Sequence, residues 1–214
     1  IVFWLEVLSP SVTGAASHFL GFLGALAIFW GSITACRVQR LKSLVAYSTV
    51  AQLGYMFMLF PLAQASTSQP RLEGLAIAAA AYFITAHALA KAAMFLAVGN
   101  IMARNGNDEI ANLRGLVHRQ PIAVATFAIA GISLIGLPPT GGFIAKWLLL
   151  STAVSTGQWW WAIVMIAGGL LAAIYIGRVL HIAFSQRDST KTKPISESIP
   201  KRMPFCGLAL AILA

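Results

Sequence analysis

Residues 121–154 read PIAVATFAIAGISLIGLPPTGGFIAKWLLLSTAV, an apolar stretch with a single charged residue. It is long enough to cross the roughly 30 Å core of a bilayer as a helix. Its middle disfavours a continuous helix, because Pro138 and Pro139 remove amide donors and clash with the preceding turn. Gly141 and Gly142 then remove side-chain restraint. Irregular backbone at membrane depth is tolerated only inside protein or beside water. The stretch therefore predicts a discontinuous transmembrane helix next to an internal hydrated cavity.

The chain as a whole has too few charged residues to cover a soluble protein. Of its 214 residues, 58% are hydrophobic and 10% are charged, whereas a soluble domain carries roughly a quarter charged residues. The formal net charge is +9, but no basic helix face is interleaved with aromatic residues, so nucleic acid is not an expected partner. Composition predicts an all-α, polytopic transmembrane helix bundle in contact with the lipid bilayer.

Apolar runs between charged or Pro/Gly-rich breaks divide the chain into regions. Four are expected: the tail of a truncated helix at 1–10, a five-helix transmembrane repeat at 11–186, a basic loop at 187–202 and the start of a truncated helix at 203–214. The five full spans are predicted at 15–36, 43–62, 72–102, 121–154 and 159–186. Spans 72–102 and 121–154 exceed a simple crossing at about 1.5 Å rise per residue, so tilt, kinks or interruptions are expected there. Both ends are expected to be cut.

Charged loops give the chain a predicted orientation. Basic residues concentrate in loops 37–42, 104–119 and 187–202, and the intervening loops are nearly neutral. Because cytoplasmic loops carry an excess of Lys and Arg, these three loops are predicted to be cytoplasmic, with the chain in a bacterial inner membrane. Loop 187–202 either contacts lipid headgroups or is a solvated linker. Cys36 and Cys206 are far apart, so neither a disulfide framework nor a metal site is indicated.

Two ionisable residues lie one turn apart within the apolar span 72–102. His87 and Lys91 are four residues apart, so a continuous helix places them on one face. Lys91 is near the middle of the span, where it needs water, a carboxylate or the loss of its proton. His87 can pass a proton, because one ring nitrogen accepts while the other donates. The alternative for His87 is an interhelical hydrogen bond from a neutral imidazole. The pair together favours a proton relay.

A further lysine, Lys146, follows the break in the helix on its predicted outward half. Discontinuous helices with ion sites at the break recur in transporters. The alternative is a simple proline kink with a lysine that snorkels outward. Arg178 and His181 lie near the inner end of span 159–186, where snorkelling explains Arg178 as well as a functional role does.

A polar stripe is predicted along span 43–62. Ser48, Gln52 and Tyr55 recur at i, i+4 and i+7, which places them on one helix face. The stripe holds a water chain or makes ordinary interhelical hydrogen bonds, and the sequence favours neither. Lys42, at the cytoplasmic end, is either a topology charge or a proton entrance.

Three motifs in this order carry a family resemblance. They are LKSLVAYST at 41–49 followed by QLGY at 52–55, HALAKA at 87–92 and GLPPTGGFIAK at 136–146. The chain resembles the antiporter-like membrane subunits shared by respiratory complex I, Mrp-type multisubunit cation/proton antiporters and membrane-bound hydrogenases.

The resemblance implies the second of two inverted five-helix repeats, with the break in its fourth span. It also implies that Lys91 is the central relay lysine, that His87 assists it, and that Lys146 faces an outward half-channel. Gln52 stands where many relatives have histidine, so a titrating role for it is disfavoured. The supporting residues are Lys42, Tyr47, Ser48, Gln52, Pro138, Pro139, Gly141 and Gly142.

The sequence therefore predicts proton, or cation/proton, translocation through a buried lysine/histidine relay. The expected partners are other membrane subunits of a multisubunit complex, and the transported ion is H⁺ or Na⁺. No haem, flavin or iron–sulfur motif is present, so no cofactor is expected in this chain and any redox centre belongs to partner subunits. Within an NADH:quinone oxidoreductase, the chain would be a non-catalytic pumping subunit. The alternatives are a structural membrane subunit with static lysines, and a stand-alone solute carrier that binds an anionic substrate near Lys146.

Overall fold

The helices of the computed structural model agree with the predicted all-α class. The structure describes residues 10–66, 70–186 and 203–214, and within these ranges every regular element is helical. A short 3-10 turn, Ile110–Leu113, precedes the fourth of the α-helices. In chain order the described α-helices are α1 Pro10–Arg37, α2 Leu41–Ser66, α3 Pro70–Asn105, α4 Leu116–Arg119, α5 Pro121–Ile135, α6 Gly141–Ser155, α7 Trp159–Phe184 and α8 Met203–Leu213.

Helices α1, α2, α3 and α7 contain segments long and apolar enough to cross a membrane. These segments are Gly14–Arg37, Leu41–Ser66, Gly74–Asn105 and Trp159–Phe184, within a few residues of four predicted spans. Helix α1 begins at Pro10, because a proline's missing amide hydrogen costs nothing in the first helical turn. Most of the predicted helix tail at 1–10 and the whole predicted loop at 187–202 lie outside the described residues.

The fourth predicted span, 121–154, is formed by two half-helices. Helices α5 and α6 have 15 residues each, about 22 Å at 1.5 Å per residue, so neither crosses a bilayer core alone. They are separated by residues 136–140, which confirms the discontinuous helix predicted at 121–154. Of the tilt, kinks or interruptions expected for span 72–102, helix α3 shows no interruption, since it continues for 36 residues. Its length of about 54 Å exceeds the bilayer core.

Helices α1 and α2 pack through glycines. A Cβ atom at Gly24 would lie 2.5 Å from the carbonyl oxygen of Gly54, and a Cβ atom at Gly54 would lie 2.4 Å from that of Gly24. Two turns after Gly24 on α1, a Cβ atom at Gly31 would lie 2.6 Å from the amide nitrogen of Ala51 on α2. Small residues let helix backbones approach closely, which is a common basis of association in membranes.

The buried apolar side chains form two clusters. One cluster includes Leu44, Met94 and Phe127, and the other includes Ile28 and Leu149. Buried polar residues lie on the same helices as these clusters, on α2, α3 and α5, and are Ser48, Gln52, Lys91, Thr126 and Ser133. The helices therefore hold a group of polar side chains away from the surface of the bundle.

The connections at one end of the bundle are held together by hydrogen bonds. The guanidinium group of Arg178 on α7 donates to the carbonyl oxygens of Cys36 and Val38 and to Oε1 of Gln39. The α1–α2 connection also pairs with the α3–α4 connection, since the Leu41 amide donates to the Asp108 carbonyl oxygen at 2.8 Å. The structure thus places the predicted basic loops 37–42 and 104–119 at the same end, and Arg178 anchors the first of them.

Candidate functional site

Lys91 is a buried cation held between two helices. It lies on α3 with 7% of its surface exposed. Its Nζ donates to the carbonyl oxygen of Val45 at 2.9 Å and to the hydroxyl oxygen of Ser48, both on α2. Both partners are neutral, so they stabilise the ammonium group less than a carboxylate would. An amine in this position can take up and release a proton at modest energetic cost.

Lys146 turns back toward the break in its helix. Its Nζ donates to the carbonyl oxygens of Leu134 at 2.6 Å and Ile135 at 3.2 Å, which are among the last carbonyls of α5 and otherwise lack helical partners. The same Nζ lies 4.5 Å from the centre of the Tyr55 ring, within range of a cation–π interaction. The amine is therefore a cap on the C-terminal end of α5, which favours positive charge. It does not snorkel outward.

The break itself depends on close backbone contact. Gly136 adopts a φ of 88°, the left-handed conformation that suits glycine at the end of a helix. Thr140 caps α6 by accepting a hydrogen bond from the Phe143 amide. A Cβ atom at Gly142 would lie 1.9 Å from the carbonyl oxygen of Ser133, so only glycine fits there. Pro138 and Pro139, which are exposed and joined by a cis peptide bond, lie between these contacts.

His87 is close to both lysines. It is partly buried on α3, and its ring stacks on Phe83 with centroids 6.2 Å apart. Phe83 in turn stacks on Tyr55 at 5.7 Å. His87 is near enough to interact electrostatically with both Lys91 and Lys146. Its Nδ1 is buried and has no hydrogen-bond partner within the described part of the chain, which is uncommon for a buried polar atom and leaves it open to a water molecule.

A small cavity adjoins His87 and the break. About 10 Å³ of it is available to the centre of a water molecule, which is room for about one water. The lining includes an imidazole, an amine, an amide and a hydroxyl group, which are suitable partners for such a water. The lining residues are Gln52, Phe83, Ala86, His87, Ser133, Leu134, Gly142 and Lys146.

The polar stripe on α2 faces the bundle interior and makes interhelical contacts. Ser48 and Gln52 are buried, and Nε2 of Gln52 donates to the Leu134 carbonyl oxygen at 3.1 Å. The Tyr55 hydroxyl donates to the Met165 carbonyl oxygen at 2.8 Å. Of the two alternatives, interhelical hydrogen bonding accounts for all three of these side chains.

Two of the supporting residues lie away from the cavity. Lys42, in the first turn of α2, is exposed, and Tyr47 is 36% exposed on the outer face of the same helix. The structure therefore brings together Lys91, His87, Lys146, Ser48, Gln52 and the glycines of the break, and it leaves Lys42 and Tyr47 outside that group.

Three groups near the candidate site were not predicted from the sequence. Ser133 and the carbonyl oxygen of Leu134 line the cavity, and Tyr175 lies fully buried on α7 beside Ser48 and Gln52. A backbone carbonyl carries no sequence signal. Tyr175 did offer one, since it carries a phenol hydroxyl within a largely apolar span.

The described part of the chain offers no metal centre. Among residues 10–66, 70–186 and 203–214 there is no group of three or more His, Cys, Asp or Glu side chains placed to bind a metal ion. Cys36 and Cys206 are both free thiols.

Comparison with known proteins agrees with this architecture. Residues 1–172 match the family described as "NADH:quinone oxidoreductase/Mrp antiporter, TM". The chain is 32% identical over 165 residues to NADH-quinone oxidoreductase subunit N of Desulforudis audaxviator, which covers 77% of this chain and 31% of that protein. It is 29% identical over 195 residues to Na(+)/H(+) antiporter subunit A1 of Staphylococcus aureus, which covers 84% of this chain and 24% of that protein.

A solved structure shares the fold. A chain of the Mrp complex from Dietzia sp. superposes with a TM-score of 0.79 at 20% identity, over 92% of this chain and 43% of the matched one. The chain spans about a third or less of the length of the two curated relatives. Because the family match extends over most of its residues, the chain is an integral membrane protein that belongs to the NADH:quinone oxidoreductase/Mrp antiporter transmembrane family.

Proposed function

We propose that this chain carries a proton, or cation/proton, pathway of an antiporter-like membrane subunit. The observation that carries the proposal is the placement of two lysines, Lys91 and Lys146, inside the bundle with His87 and a water-sized cavity nearby. Ionisable residues within membrane spans are costly and mark ion pathways by default. The similarity to an NADH-quinone oxidoreductase subunit and to a Na(+)/H(+) antiporter subunit supports the same function.

In this proposal a proton passes from Lys91 to Lys146 by way of His87. The imidazole accepts a proton at one ring nitrogen and releases one from the other. His87 and Lys146 both line the cavity, so one water there can join the imidazole to the amine. Lys91 supplies the next proton, since its neutral partners hold the charged form only moderately.

The charge of Lys146 determines how strongly this residue binds the C-terminal end of α5. Its ammonium form donates strongly to the carbonyl oxygens of Leu134 and Ile135, and charge-assisted hydrogen bonds are roughly twice as strong as neutral ones. Deprotonation weakens both bonds. Release of a proton from Lys146 therefore loosens the contact between α6 and the end of α5.

The wider assignments follow from the same proposal. Residues 11–186 form a five-helix repeat, flanked by the basic loop 187–202 and a further helix from 203. Loops 37–42, 104–119 and 187–202 face the cytoplasm of a bacterial cell, and the chain works among other membrane subunits. The carried ion is H⁺ or Na⁺. The chain itself binds no cofactor, and any redox centre lies in a partner subunit.

The decisive experiment replaces each buried lysine in the complete subunit within its native assembly. Lys91→Ala and Lys146→Ala should each abolish most proton translocation into membrane vesicles, while Lys42→Ala, at an exposed position, should leave it near the wild-type rate. Assembly of the complex is checked by blue-native electrophoresis. Unchanged translocation in both alanine variants would refute the proposal.

One further variant separates transport from a purely structural role. Lys91→Gln keeps a hydrogen-bond donor toward Val45 and Ser48 but cannot be charged. A proton pathway requires translocation to be lost in this variant. A structural subunit with a static lysine would keep its full activity.

A further inference from the structure

Tyr175 is a buried phenol whose hydroxyl group lacks a settled partner. Its side chain is fully buried on α7, and the hydroxyl makes no hydrogen bond of acceptable geometry to any residue that the structure describes. The great majority of buried polar side-chain atoms are bonded, because leaving one unpaired is costly. A phenylalanine would fill the same space without that cost, so the hydroxyl calls for a functional explanation.

The hydroxyl is close to two side chains, and each of them is connected by hydrogen bonds to one of the two lysines. The side chains of Ser48 and Gln52 are its immediate polar neighbours. The Ser48 oxygen accepts a hydrogen bond from Lys91. The Gln52 amide donates to the Leu134 carbonyl oxygen at 3.1 Å, and Lys146 donates to that same oxygen at 2.6 Å. A hydrogen bond from Tyr175 to Ser48 or Gln52 would therefore complete a chain of polar groups from Lys91 to Lys146.

The capacity of each neighbour restricts what the hydroxyl can do. Ser48 donates to the Val45 carbonyl oxygen and accepts from Lys91, which leaves one lone pair on its oxygen. Gln52 uses an N–H of its amide on Leu134, and its carbonyl oxygen can accept. A phenol has a single hydrogen, so Tyr175 can donate to Ser48 or to Gln52, but not to both at once.

The charge on Lys91 selects between these two acceptors. A hydroxyl dipole near a cation turns its oxygen toward the charge and its hydrogen away, and the effect is strong in a poorly solvated interior. With Lys91 charged, the Tyr175 hydrogen therefore points to the Gln52 oxygen. With Lys91 neutral, the hydroxyl can return to Ser48.

We propose that Tyr175 is a positioning residue that couples the two lysines, its hydroxyl switching between Ser48 and Gln52. A Gln52 amide that accepts from Tyr175 is polarised and donates more strongly to the Leu134 carbonyl oxygen. There it competes with Lys146 for the shared acceptor, so a proton arriving at Lys91 weakens the hold on Lys146. This inference rests on the proposed function of the two lysines.

The test compares Tyr175→Phe with Tyr55→Phe in the intact assembly. Tyr175→Phe should lower proton translocation about tenfold, the scale of a typical coupling between sites. It should leave the thermal unfolding midpoint unchanged or raise it, since an unpaired buried hydroxyl is removed. Tyr55→Phe, which loses a real hydrogen bond to Met165, should lower the midpoint. Wild-type translocation in Tyr175→Phe, or a loss of activity matched by a loss of stability, would overturn the inference.

Two further measurements keep the outcomes distinct. If Tyr175 acts through Gln52, the double variant Tyr175→Phe/Gln52→Leu should be no slower than the slower single variant, whereas multiplying effects would contradict that route. Lys91→Ala and Lys146→Ala serve as the reference for the proposed function. Loss of translocation in both lysine variants with normal rates in Tyr175→Phe would refute the coupling alone.

Discussion

Gln52 and Lys146 donate hydrogen bonds to one acceptor, the carbonyl oxygen of Leu134, at 3.1 Å and 2.6 Å. The carbonyl belongs to the last turn of α5, where backbone oxygens lack the helical partners found further back. One donor comes from α2 and the other from α6. The end of the first half-helix is thus held from two sides.

Removing both donors should cost more than the sum of the single changes. Gln52→Leu alone leaves Lys146 on the Leu134 oxygen, and Lys146→Met alone leaves Gln52 there. The double variant leaves a buried acceptor unpaired, which adds about 1–3 kcal/mol. Thermal unfolding of the detergent-solubilised assembly measures the three changes. Strict additivity would show that the two donors do not share this oxygen in the membrane.

Ser48→Ala removes one of the two acceptors of Lys91. Because hydrogen bonds to charged groups contribute about 1.5–3 kcal/mol, the charged form of Lys91 should become scarcer, and proton translocation should fall about tenfold. Thr49→Val is the matched control, since Thr49 donates to the same Val45 carbonyl oxygen at 3.2 Å but does not bind Lys91. Equal rates in the two variants would contradict a role for the Ser48 hydroxyl.

Gly142→Ala should prevent normal closure of the break. The added Cβ atom would lie 1.9 Å from the Ser133 carbonyl oxygen, and backbone atoms cannot move aside as a side chain can. We expect a loss of more than about 3 kcal/mol in stability, above the usual range for overpacking, with a lower yield of assembled complex.

The control for that change is Gly177→Ala on α7. A Cβ atom there meets no other atom within 4 Å, and replacing a helical glycine by alanine adds about 0.5–1 kcal/mol of stability. Blue-native electrophoresis and thermal unfolding compare the two variants. A Gly142→Ala assembly as stable as Gly177→Ala would mean that the half-helices are further apart than described.

Arg178→Lys should loosen the connection between α1 and α2. A lysine cannot reproduce the guanidinium fork that serves Cys36, Val38 and Gln39. In a Cys206→Ser background, Cys36 should then react severalfold faster with a membrane-permeant maleimide, because the end of α1 opens more often. Arg114→Lys, at an exposed position, should leave the labelling rate unchanged. No acceleration in Arg178→Lys would assign that anchoring to other contacts.

The sequence was sufficient for features whose cause is local. Glycine and proline chemistry between 136 and 142 predicted the discontinuous helix, and the apolar runs predicted the spans. The length of span 72–102 left tilt, kinks and interruptions open, because length alone does not decide whether a helix tilts, bends or extends beyond the bilayer. In the structure α3 is uninterrupted. The break depends on the local preferences of glycine and proline, which the sequence shows directly. The course of a long helix depends also on the helices and lipid around it.

Contacts between helices were less predictable. The stripe of Ser48, Gln52 and Tyr55 was placed on one face, but its partners are backbone carbonyls and a lysine on other helices. The sequence did not determine whether the Lys146 side chain snorkels outward or points inward. In the structure it points inward, because it donates hydrogen bonds to the carbonyl oxygens at the end of α5. Tyr175 was not predicted, because its proposed role depends on contacts with Ser48 and Gln52, which are far away in sequence. The relay roles of Lys91, His87 and Lys146 stay predictions.

The closeness of Gly142 to Ser133 also limits how the two half-helices can move. With their backbones in contact at one point, sliding is blocked, while rotation about that point stretches few contacts. Lys146 lies four residues further along α6, about 6 Å from this pivot. A rotation of roughly 10° would carry its Cα atom about 1 Å, enough to weaken a hydrogen bond. A small rotation of α6 about the backbone contact of Gly142 is therefore enough to change the hydrogen bonds of Lys146.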